Sequence, residues 1–141
     1  MSHAEMIEAL RAQAEWRGVD GRPESGGLVL AIVGGQTQRP GIPDRWVAHP
    51  KVPGGCWVEV KYGRDVLSAA QRQVMRLMRE RGASAVVLRG TRPLRVAGSP
   101  ITCRCADEEG NPLTGWEQMV QGGAKAPIVE LLAAAVAYRR A

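Results

Sequence analysis

Residues 56–88, CWVEVKYGRDVLSAAQRQVMRLMRERGASAVVL, decide the fold class. From Cys56 to Tyr62 the side chains alternate as in a strand, with Val58, Val60 and Tyr62 on one face and Trp57, Glu59 and Lys61 on the other. Leu67, Ala70, Val74 and Met78 then recur at helical spacing and predict a helix over 68–81 with these residues inward and Arg72, Arg76 and Arg79 outward. Ser68 suits the N-cap, Gln71 stands three residues on as in a capping box, and Gly82 suits the position just past the end. Ser84 to Leu88 (SAVVL) reads as a buried strand. Strand, helix and strand within about thirty residues form a βαβ unit, hence a parallel pair with a right-handed crossover.

Working outward, residues 3–17 predict a helix, with Ile7, Leu10 and Ala14 on one face. Leu28 to Val33 is a continuously apolar run that suits a buried strand, and Gly34 to Pro43 is a Gly/Pro-rich loop. Trp46 to Ala48 predicts a short strand, followed by a turn region from His49 to Gly55. Beyond Arg89, Ile101, Cys103 and Cys105 alternate like a strand, Asp107 to Pro112 is turn-like, and a helix is expected from Pro127 to Arg139. The expected organisation is a core over 1–90 and a C-terminal extension over 91–141, packed on the core or on a partner subunit. The apolar width of the last helix permits a homodimer and equally suits packing on its own sheet.

At 141 residues the chain is about one domain, long enough to fold around its own core. Apolar residues make up 45% and charged residues 23%, which excludes disorder as the main reading. No apolar run approaches the ~20 residues of a membrane span, and the N-terminus lacks the pattern of a secretory signal. The expectation is a soluble, cytoplasmic protein of a bacterial or phage-infected cell with no membrane partner. Cys56, Cys103 and Cys105 cannot all pair and lack the ligand spacing of a zinc site, so reduced thiols are expected. The net charge is +5, but Arg64 to Arg104 alone holds nine arginines against Asp65 and Glu80. Such a stretch suits a polyanion, most simply nucleic acid. It also suits plain compositional bias, since 16 of the 19 basic residues are Arg.

Asp44, Glu59 and Lys61 are the residues with chemistry to explain. Asp44 follows Pro43 at the mouth of the Gly/Pro loop, and the turn at 49–55 lets its strand pair beside Glu59. Two carboxylates gathered across a hairpin, with the Val60 carbonyl as a further oxygen donor, suit Mg²⁺ or Mn²⁺. Phosphodiester hydrolysis needs a divalent ion to polarise the phosphoryl oxygen and acidify a water, and a nearby ammonium to steady developing charge. Lys61, two residues from Glu59, is placed for that last role.

The order G-I-P-D (Gly41 to Asp44), E-V-K (Glu59 to Lys61) and L-S-x-x-Q (Leu67 to Gln71) resembles the PD-(D/E)XK nuclease superfamily. It is most similar to the VRR-NUC (virus-type replication-repair nuclease) branch, often found in phages, over about residues 3–90. The resemblance implies an α/β, restriction-endonuclease-like core: an N-terminal helix, a three-stranded β-meander, then a helix and a parallel strand. It further implies a Mg²⁺- (or Mn²⁺-) dependent hydrolase cutting DNA in replication or repair and leaving 5′-phosphates. Asp44 and Glu59 would be metal ligands, Lys61 the catalytic lysine and Gln71 a supporting helix residue. The family also places an acidic residue on the first helix, here Glu5 or Glu8, with Glu5 the choice.

Each of these residues has a second reading. Asp44 also suits a turn, Glu59 and Lys61 a solvated strand face, and Gln71 the capping box alone. Arg72 and Arg76 on the helix, and Arg39 and Arg45 flanking the site, are candidate phosphate contacts; the helix arginines equally suit a water-facing surface. Trp46 and Trp57 suit base stacking or cross-strand packing, and His3 and His49 read as bystanders. The function expected is a metal-dependent DNA nuclease that selects its substrate by structure; the alternative is a non-catalytic nucleic-acid-binding module derived from one.

Overall fold

The computed structural model describes residues 3–15, 27–32, 40–91, 101–113, 118–120 and 128–140. In order these form α1 (His3–Glu15), β1 (Leu28–Ala31), β2 (Arg45–His49), β3 (Val52–Tyr62), α2 (Ala69–Glu80), β4 (Ala85–Thr91), β5 (Ile101–Ala106), β6 (Gln118–Val120) and α3 (Ile128–Arg140). Six strands make one sheet in sequence order. β3 and β4 are parallel, joined over α2, and every other neighbouring pair is antiparallel. An N-terminal helix, a three-stranded meander, a helix and a parallel strand are the restriction-endonuclease-like order that the resemblance implies.

The sheet is covered on both faces. Val47, Val58, Val60, Val86, Leu88, Cys103 and Cys105 pack against Met6 and Leu10 of α1 and Ile128, Leu131 and Leu132 of α3. The stretch after residue 91, where described, is therefore built into the same core as α1. On the other face Trp57, Ala85 and Val87 lie under Leu67, Met75 and Met78. Met75, which the expected inward stripe omitted, is more deeply buried than Ala70. α2 begins at Ser68 as expected: its Oγ accepts from Gln71 N at 3.1 Å while Gln71 Oε1 accepts from Ser68 N at 2.8 Å. Such a cap is worth about 1 kcal/mol.

Three elements differ from expectation, one of them β6 (Gln118–Val120), where no strand was expected. β1 is an edge strand in which only Val29 is buried, and Leu28 and Leu30 are 45% and 49% exposed. The apolar cluster beneath α2 draws on β3 and β4 and stops short of β1. β3 also starts at Val52, taking in Pro53, Gly54 and Gly55 from the expected turn. β4 pairs with β3 only from Trp57 onward, so among the described residues the earlier ones have β2 as their one strand neighbour. That edge tolerates a proline and a bulge with glycines at φ +79° and +74°. The first helix ends at Glu15 among the described residues, and Trp16, Arg17 and Pro127 lie outside them.

Candidate active site

The β2–β3 register runs Trp46 to Trp57 and Arg45 to Val58, and its next step sets Asp44 opposite Glu59. The two residues lock together. Asp44 N donates to Glu59 Oε1 at 3.2 Å, and Val60 N donates to Asp44 Oδ1 at 3.3 Å. The Asp44 carbonyl accepts from Ile32 N at 3.0 Å and from Arg45 Nη1 at 2.8 Å. Lys61 Nζ stands 3.7 Å from Glu59 Oε2. The three residues predicted to act together are thus one cluster at the end of β2 and β3.

Glycine in G-I-P-D has a physical reason. Gly41 takes φ +91°, and a Cβ there would run into the Ala70 carbonyl and stand 2.9 Å from Gln71 N. The loop carrying Asp44 therefore docks on the first turn of α2. Gln71 sits at that docking point, and its side-chain oxygen is engaged in the cap.

Glu59 is 4% exposed, so the face it shares with Trp57 is not the solvated one its polar pattern also suggested. Burial, and then the nearby Asp44 carboxylate, push its carboxyl up to about 7; Lys61 and the Asp44 N–H act against this. An oxygen donor set of Asp44, Glu59 and the Val60 carbonyl, with two acids held together at an electrostatic cost, fits a small hard divalent cation. Among the described residues no three His, Cys, Asp or Glu side chains form a metal-binding group by themselves, so the carbonyl is needed to complete such a set.

No protein-family model matches the chain, and no curated protein matches it. Among solved structures it is similar to a Holliday junction resolvase from the archaeal hyperthermophile Archaeoglobus fulgidus, with 18% identity and a TM-score of 0.47 over 84% of this chain and 87% of that one.

The flanking cations are placed unevenly. Arg45 folds back on Asp44, with Nη1 3.7 Å from Oδ2. Arg72 is exposed on α2, whereas Arg76 donates to Glu109 Oε1 at 2.5 Å, and Arg79 pairs with the buried Glu108. Arg39 lies outside the described residues. Trp46 and Trp57 pack edge to face with ring centroids 5.1 Å apart, a cross-strand pair in the fold itself. The three cysteines are buried, and burial pushes the Cys103 thiol up to about 12.

Two residues at the site were not singled out by the sequence reading, His3 having been read there as a bystander. Arg89, in register with Lys61, donates to the carbonyls of Gly63 and Asp65 at 2.9 and 2.6 Å and pins the turn that leaves β3. His3, exposed at the start of α1, reaches the cluster: its Nε2 lies 2.9 Å from the Val60 carbonyl oxygen and 3.5 Å from Asp44 Oδ2. Glu5 is half-buried on the same helix, and Glu8 is exposed. The register of Arg89 follows from βαβ pairing, but no local pattern marks His3.

Proposed function

We propose that the chain is a divalent-metal-dependent nuclease that hydrolyses phosphodiester bonds in DNA and selects its substrate by structure. The supporting observation is the Asp44–Glu59–Lys61 cluster, in which main-chain hydrogen bonds tie each carboxylate to the strand that carries the other. A replication or repair role of phage type accords with the sequence resemblance.

Asp44, Glu59 and the Val60 carbonyl would hold Mg²⁺ or Mn²⁺. When bound, the ion supplies positive charge that polarises a phosphoryl oxygen and makes a water more acidic. The rest falls to the chain. The amide of Asp44 orients the Glu59 carboxylate, and the Asp44 side chain is fixed by Val60 N. Lys61, with its side chain 16% exposed, keeps an ammonium at the edge of the cluster, where it meets the charge developing on the phosphate. Gln71 caps α2 and so steadies the surface on which the Asp44 loop rests. The exposed Arg72 faces solvent, where contact with a phosphate backbone adds affinity without base readout.

The test is cleavage of end-labelled branched, duplex and single-stranded DNA with Mg²⁺, Mn²⁺ or EDTA. The parent should cut only with metal, and Lys61→Ala should slow cutting by about 100-fold or more while melting like the parent. Parent-rate cutting by Lys61→Ala refutes the assignment. DNA binding indifferent to EDTA, with no cleavage of any substrate, supports the binding-module reading instead.

A further inference from the structure

The contacts of His3 reach both Asp44 and the Val60 carbonyl from a side chain that is 46% exposed. They do not come from a loosely held end. Met6, one turn further along α1 on the same face, is fully buried, and its side chain occupies the space where any side chain at Gly90 would stand. Leu10, a turn beyond, is fully buried as well. The helix is thus seated on the sheet through the stripe that points His3 at Asp44 and Val60.

We infer that His3 is a metal ligand of this site and biases it toward Mn²⁺ over Mg²⁺. The inference rests on Asp44 and the Val60 carbonyl being the oxygen donors of the nuclease reading. Donor atoms about 2.1 Å from a six-coordinate ion and at right angles to one another stand roughly 3 Å apart. His3 Nε2 lies 2.9 Å from one of those donors and 3.5 Å from the other, so the three atoms already lie near the edge lengths of a shared coordination shell. Without metal, Nε2–H donates to the Val60 carbonyl. On binding, the ring proton resides on Nδ1 and the Nε2 lone pair faces the ion, so no net proton is lost from a neutral ring. An imidazole nitrogen suits first-row transition ions, whereas Mg²⁺ favours an all-oxygen shell. A mixed set of the His3 nitrogen, the Asp44 carboxylate and the Val60 carbonyl therefore separates the two metals that a purely acidic site treats more evenly.

The test measures metal binding, not turnover. The full chain is titrated with Mn²⁺ at about pH 8, where an imidazole is neutral, following the free-ion electron paramagnetic resonance signal and competing with Mg²⁺. His3→Ala should weaken Mn²⁺ binding about tenfold and Mg²⁺ binding less than twofold. His3→Glu should narrow the Mn²⁺/Mg²⁺ preference by about fivefold or more. Substoichiometric Mn²⁺ should also broaden one of the chain's two histidine ring signals in the proton spectrum, the one absent from His3→Ala. Equal loss of affinity for both metals in His3→Ala, unchanged Mn²⁺ binding, absence of Mn²⁺ binding in the parent, or broadening confined to His49 each overturns the inference. A parent that binds Mn²⁺ through His3 but cuts no DNA defeats the nuclease reading alone, and a parent that cuts DNA with Mn²⁺ binding unaffected at His3→Ala defeats this inference alone.

Discussion

Replacing Glu59 by Gln should stabilise the metal-free protein at high pH while removing its function. In the folded chain this carboxyl ionises near 7, against an ordinary value of 4.5, mainly because it is buried and secondarily because Asp44 stands beside it. Between those two values the native state keeps the proton and the unfolded chain has released it, so stability falls as pH rises through the window. Each tenfold change in proton affinity is worth about 1.4 kcal/mol, which makes the whole penalty about 3 kcal/mol, with about 2.5 kcal/mol of it accruing between pH 5 and pH 8. The amide of Gln preserves the acceptor for Asp44 N and carries no charge. Lys61 loses its anionic neighbour, a cost of under about 1 kcal/mol for a side chain that still reaches water. Urea unfolding in EDTA should therefore find Glu59→Gln within about 1 kcal/mol of the parent at pH 5 and about 2 kcal/mol more stable at pH 8. Adding Mg²⁺ at pH 8 should stabilise the parent and leave the variant unmoved. A stability difference that does not change with pH, or a variant less stable than the parent at pH 8, would refute the claim that the site holds an electrostatically costly carboxylate.

Two further perturbations probe the supports of the cluster. Gly41→Ala forces a side chain into a left-handed backbone position against the first turn of α2; it should cost about 2 kcal/mol in urea unfolding and lower cleavage, because the Asp44 loop must lift. A variant as stable and active as the parent would show that the loop does not depend on this docking. Arg79→Ala strands the buried Glu108 carboxylate and should destabilise the fold by about 3 kcal/mol at pH 7, with most of that recovered in the Arg79→Met, Glu108→Leu double variant. A loss below about 0.5 kcal/mol would place Glu108 in contact with water.

The βαβ unit was legible because each of its parts is decided by near neighbours. Alternation from Cys56 to Tyr62, helical spacing from Leu67 to Met78 and the Ser68–Gln71 box all work within a few residues, and the structure returns each of them. The pairing of Asp44 with Glu59 was legible too, since a hairpin leaves few registers open. The openness of β1 was not, because a continuous apolar run looks the same whether one face of it is covered or both. The arginines of α2 were read as a single outward stripe, yet Arg76 and Arg79 meet Glu109 and Glu108 from a turn about thirty residues further on.

What the amino-acid order determined alone is the local grammar: the strand, helix and strand of the βαβ unit, where α2 is capped, and that Glu59 and Lys61 share a face. Only the tertiary structure decided that Glu59 on this face is buried, that it therefore resists ionisation, and that His3 of α1 arrives beside Asp44. The physical reason is range. Backbone periodicity and capping act over a few bonds, whereas desolvation and charge depend on which distant groups the packed core brings within a few ångströms.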